Sequence, residues 1–75
     1  MREERHTVVL VYSTSHALRA EKVLAEAGIL CKLIPVPRQL SSDCGVCIRV
    51  RTDDRTTARE ALNAAGLEIE GIHDV

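Results

Sequence analysis

Thr7-Val8-Val9-Leu10-Val11-Tyr12 is a continuous run rich in β-branched residues, too short for a helix and apolar at both parities. It reads as a strand buried on both faces, and such a strand belongs in the middle of its sheet. The rest of the chain can be placed around it.

Ser13-Thr14-Ser15 supplies capping hydroxyls ahead of a helix from His16 to Ala27, where Ala17, Ala20, Leu24 and Ala27 recur at helical spacing and Gly28 provides the stop. Ile29 to Ile34 is a second strand with Lys32 on a solvent-accessible face, and Pro35 and Pro37 end its ladder by removing backbone donors. After a loop from Pro35 to about Asp43, Val46, Ile48 and Val50 alternate with Cys47, Arg49 and Arg51, the period-two pattern of a half-buried third strand. Thr52 or Asp53 can cap a second helix running through Ala65, striped by Ala58, Ala61, Leu62 and Ala65 and stopped by Gly66. Leu67 and Ile69 alternate with Glu68 and Glu70 as a short fourth strand, with a tail to Val75. The order βαββαβ predicts a ferredoxin-like α+β domain: a four-stranded antiparallel sheet of order 4-1-3-2 with two helices on one face. One domain over residues 1–75 is expected, with residues 1–6 as a flexible start.

Composition limits what such a domain can do. A chain of 75 residues, 45% hydrophobic and 28% charged, has a globular balance but a small core. Tyr12 is its lone aromatic, so Val, Ile, Leu and Ala must fill the interior, and self-association through the open sheet face would add buried area. That face is expected to carry Leu30, Ile34, Val9 and Val11 beside Lys32, Arg49 and Arg51, an apolar patch rimmed by charge that suits a homodimer contact. A net charge of −1 and the lack of stacking aromatics argue against nucleic acid as a partner. The polar start and the absence of a long apolar run argue against a signal peptide or membrane contact, which makes the cytoplasm the expected location. Three cysteines, an odd number, fit reduced thiols better than a disulfide framework.

Ser41-Ser42-Asp43-Cys44-Gly45 is the densest chemical segment. The expected topology brings the end of the first strand, the start of the first helix and this loop to one edge of the sheet, setting Cys44 close to Ser13, Thr14 and His16. Hydroxyls of Ser41 and Ser42, the helix N-terminus, Arg38 and His16 all favour a thiolate, and Gly45 lets the backbone approach a partner closely. A free cysteine titrates near pH 8.5, and surroundings of this kind commonly lower that value. Asp43 opposes the effect. Cys31, between apolar neighbours in the second strand, reads as a packing residue. Cys44 and Cys47 match C-x-x-C, but in an extended strand they point to opposite faces, so a redox pair would need a bulge. No metal site is expected, since His6, His16 and His73 lack ligand spacing, and no cofactor is called for.

With these residues laid out, the chain resembles the small bacterial family of selenium/sulfur (Se/S) carrier protein-like domains. The resemblance rests on Ser13-Thr14, His16-Ala17-Leu18, Ala20-Glu21-Lys22 and Leu24, on Leu33 to Arg38 continuing through Ser41-Ser42-Asp43-Cys44-Gly45, and on Glu68-Ile69-Glu70-Gly71-Ile72. It implies a cytoplasmic carrier that takes sulfur or selenium onto the cysteine matched by Cys44 as a persulfide or selenopersulfide. The implied partners are a cysteine desulfurase or selenium-donor protein and a downstream acceptor. Cys47 departs from the family pattern, in which a small or apolar residue is usual at that position. Two other readings of the same residues stay open. One is a non-catalytic small-anion-binding or regulatory module in which Arg38 and backbone donors recognise the anion and Cys44 only packs. The other is a redox switch through Cys44 and Cys47.

Overall fold

The computed structural model describes residues 5–40 and 45–75, so that Ser41, Ser42, Asp43 and Cys44 lie outside the described residues, as do residues 1–4. The elements are β1 (His6–Leu10), α1 (Thr14–Glu26), β2 (Cys31–Pro35), β3 (Val46–Arg51), a 3₁₀ turn (Thr52–Asp54), α2 (Arg55–Ala64) and β4 (Gly71–Asp74). All strand pairs are antiparallel in one open sheet ordered β2-β3-β1-β4, which read from the other edge runs 4-1-3-2. β1 is interior, as its two-sided apolarity requires: Val8 and Val9, adjacent and therefore on opposite faces, are both fully buried.

Both helices lie over one face of the sheet. Ala17, Ala20 and Leu24 of α1 and Ala58 and Leu62 of α2 pack with Val9, Val11, Ile48 and Val50 in the main core. Small alanines at these points let the helix axes approach the strands closely. α1 ends as its sequence predicts, with Gly28 at φ +78° and Ile29 N–H donating back to the Leu24 carbonyl at 2.9 Å, the wrap that a left-handed glycine permits.

Four expectations are corrected. First, the fourth strand is Gly71–Asp74 rather than Leu67 to Glu70. The alternation of Leu67 and Ile69 reflects a connection that drops apolar side chains into the main core, while the ladder with β1 begins at Gly71 opposite Leu10. Second, β1 starts at His6 rather than Thr7, with His6 paired with Arg51, and the Arg5 carbonyl accepts Thr52 N–H at 3.0 Å; backbone pairing does not depend on an apolar side chain. Third, neither Thr52 nor Asp53 caps α2: they form the 3₁₀ turn, and Asp54 at the cap position makes no side-chain bond. Fourth, Val9 and Val11 lie under the helices and not on the open face. The face turned away from the helices carries Val8, Leu10 and Cys47, and these are buried beneath Ile34, Val36 and Leu40. The segment after β2 therefore folds back over the sheet at one end.

The far edge is tied down by polar contacts. Thr7 is fully buried, and its hydroxyl bridges Thr52 at 3.1 Å and Asp74 Oδ1 at 2.9 Å. Arg55 Nη1 donates to both oxygens of the same carboxylate, at 3.2 and 3.1 Å. One aspartate thus fastens β4 to β1 and to the first turn of α2.

Candidate functional site

The register brings the expected site elements to one end of the sheet. Leu10, the last residue of β1, stands opposite Cys47, and Pro35, the last of β2, stands opposite Val46. Val36 N–H donates to the Gly45 carbonyl at 3.2 Å, extending the ladder by one bond. Gly45 has φ +81°, while a Cβ built there would meet nothing within 4 Å. Backbone conformation rather than space demands glycine at this position.

Ser13 is the N-cap of α1: its Oγ accepts from His16 N–H at 3.1 Å and lies 2.6 Å from His16 Nδ1. The serine thus both starts the helix and holds the imidazole in place. No acidic residue occupies the first turn of α1, so the helix itself supplies no carboxylate to offset its positive end. Thr14 is the exposed first residue of α1. Ser13→Ala is expected to cost about 1 kcal/mol, as cap deletions do, with Ser13→Asn recovering most of it in urea unfolding.

Arg38 sits in a turn closed by Leu40 N–H donating to the Pro37 carbonyl at 3.0 Å. Its side chain is exposed and has no hydrogen-bond or ion-pair partner among the described residues. Val36 and Leu40 fix that turn by packing on the face of Val8, Leu10 and Cys47. These two anchors escaped sequence reasoning, although the even-numbered parity shared by Ile34 and Val36 across Pro35 was a usable signal. Of the predicted site residues, Ser13 and His16 are in contact, and Thr14 and Gly45 belong to the same end of the sheet. The predicted roles of Ser41, Ser42 and Cys44 fall outside the described residues.

The two described cysteines are poor nucleophiles. Cys31 is partly buried under α1 with Sγ 3.7 Å from the Glu21 carbonyl, and burial, aided by the Glu21 charge, pushes its thiol above the ordinary range. Cys47 is fully buried on the opposite face, with Sγ 3.9 Å from the Pro35 carbonyl. Among the described residues no three His, Cys, Asp or Glu side chains gather to hold a metal ion, and no helix is long and apolar enough to cross a membrane.

A groove of about 660 Å³ also runs along α2 and β4, with Leu62, Leu67, Ile69 and Ile72 as its apolar wall and Tyr12 and Arg59 among its polar residues. Sequence reasoning did not find it, because its lining includes Gly71 and Ile72 of the displaced fourth strand.

No curated protein and no solved structure matches the chain. A family model described as "Putative Se/S carrier protein-like" matches residues 6–74, nearly the whole length, and the chain belongs to that family.

Proposed function

We propose that this chain carries sulfur or selenium on Cys44, accepting it from a donor protein and passing it to an acceptor. The Cys44 thiolate attacks the outer sulfur of a donor persulfide. A bond forms between Cys44 Sγ and that sulfur, the bond to the donor cysteine breaks, and the donor thiolate leaves with the electron pair. The product is Cys44-S-SH, or Cys44-S-SeH from a selenium donor, and no external oxidant or reductant is consumed. A cysteine desulfurase is the donor class that generates such a persulfide. The cytoplasm is the compartment that keeps all three thiols reduced.

The observation that carries this reading is membership of the Se/S carrier protein-like family, taken with the unsuitability of the other two thiols. The surroundings of Gly45 support it. The start of α1, with no acidic residue in its first turn, the Ser13–His16 pair and the guanidinium of Arg38, unpartnered among the described residues, all favour an anion at this end of the sheet. Intact-mass measurement after incubation with cysteine and a desulfurase, on wild type and Cys44→Ser, is the test. Alkylation kinetics across pH separate the carrier from an anion-binding module: a carrier thiol is expected to titrate below an ordinary cysteine, and a Cys44 that reacts as a free thiol would favour the module.

A further inference from the structure

On the sheet face turned away from the helices, the ladder sets basic side chains against one another. Lys32 stands directly opposite Arg49, and His6 directly opposite Arg51, so the four share that face at the end remote from Gly45. Like charges in directly opposed positions destabilise an antiparallel pair. The chain has the means to avoid this, since its eleven carboxylate side chains outnumber its ten lysines and arginines. Yet Lys32 and Arg49 have no ion-pair partner among the described residues, and Arg51 has only a loose one, 3.8 Å from the exposed Asp53. The cluster lines an open depression of about 220 Å³, and Leu30, 77% exposed, stands on its wall.

We infer that this cluster is a docking surface for an acidic protein, and that the protein is the sulfur donor; the inference rests on the carrier reading above. Charge complementarity selects an acidic occupant. Leu30 selects a protein over a free oxyanion, because an exposed aliphatic side chain in one depression with Lys32, Arg49 and Arg51 is an interface arrangement and contributes nothing to holding phosphate. α1 begins at the other end of the sheet, so its N-terminal N–H groups are not available here to cradle a small anion. The distances fit. Arg51 lies four residues along β3 from Cys47, about 13 Å, and an interface of about 800 Å² per partner spans that and more. A donor seated on the cations therefore reaches the segment that Val36 and Leu40 anchor on the same face, which leads into the cysteine loop.

The test compares wild type with the triple variant Lys32→Glu, Arg49→Glu, Arg51→Glu, and with the milder Arg49→Gln in case the triple variant does not fold. Two sulfur sources are used: the desulfurase of the same organism with cysteine, and inorganic polysulfide, which needs no docking. Binding to the immobilised desulfurase is measured alongside. The triple variant is expected to load from the desulfurase at least about tenfold more slowly at low salt, with a smaller deficit for Arg49→Gln, while polysulfide loads all forms alike. Raising the salt should slow wild type toward the variants. Equal loading and equal binding by wild type and variants would overturn the docking surface and leave the carrier intact. If neither source loads wild type, the carrier reading fails, and unequal desulfurase binding would still support the surface. Variants that lose affinity for inorganic phosphate or a short RNA but keep desulfurase binding would overturn it in favour of those ligands.

Discussion

Serine at position 44 is expected to cut sulfur uptake from a desulfurase by at least about 100-fold, the factor set by an opening free energy of about 3 kcal/mol at a protected thiol, even though two cysteines remain. The reason lies in where those two sit. Cys47 is fully buried on the face covered by Ile34, Val36 and Leu40, so a bulky donor reaches its sulfur only after that cover lifts. Cys31 is half-buried, but burial and the Glu21 charge hold it protonated at neutral pH, and the thiol is a far weaker nucleophile than the thiolate. Persulfide exchange needs both access and ionisation, and each remaining cysteine lacks one of them. Cys47→Ala should accordingly retain uptake, which separates a lone carrier from a redox pair: loss in Cys47→Ala equal to that in Cys44→Ser would make the two thiols partners. Uptake persisting in Cys44→Ser would sink the carrier reading. The measurement is intact mass against time, with the site assigned by peptide mapping.

How much of this was legible in the sequence depends on what each residue's burial required. The interior place of β1 followed from Val8 and Val9, because adjacent apolar residues can both be buried only in a strand covered on two sides. The helices followed from alanine and leucine stripes and their glycine stops. The fourth strand did not follow. Leu67 and Ile69 show the period that a strand shows, and only the ladder, which starts at Gly71, tells an alternating connection from an alternating strand. The cover over Cys47 was hidden for a similar reason. β2 runs through Pro35 and its ladder one bond further, and although Ile34 and Val36 share a parity across the proline, nothing local says that Leu40 then turns back onto the sheet as well. At this end of the sheet the capping role of Ser13 was legible because a cap is a local demand, whereas Gly45, expected to let the backbone approach a partner, holds its place through a left-handed conformation. The basic ladder was legible only in part. Arg49 and Arg51 showed their shared face by parity, whereas their opposition to Lys32 and His6 depends on register, which only the three-dimensional pairing supplies.

Leu24→Ala is expected to be the most damaging single truncation in the helical layer. Leu24 is fully buried between α1 and the sheet, and it is the largest fully buried side chain together with Ile48 and Leu62. Removing it takes away the transfer free energy of its methyl groups and leaves a cavity, a combined cost of about 2–5 kcal/mol. The upper half of that range applies here. The other fully buried residues of α1, Ala17 and Ala20, are alanines, with no long side chain to swing into the gap. At about 0.05–0.15 kcal/mol per residue, a chain this size is stable by roughly 4–11 kcal/mol, so the lesion takes a large share of the whole. Leu18→Ala is the matched control: same helix, same chemical change, but a side chain 54% exposed, with an expected loss of at most about 0.5 kcal/mol. Urea unfolding at neutral pH gives both values. If the two variants lose stability equally, Leu24 is not packed between helix and sheet, and the placement of α1 on the face opposite Val8, Leu10 and Cys47 is wrong. If they differ as expected, sulfur loading of Leu24→Ala should fall only by its unfolded fraction, since Leu24 and the basic face proposed to meet the donor lie on opposite sides of the sheet.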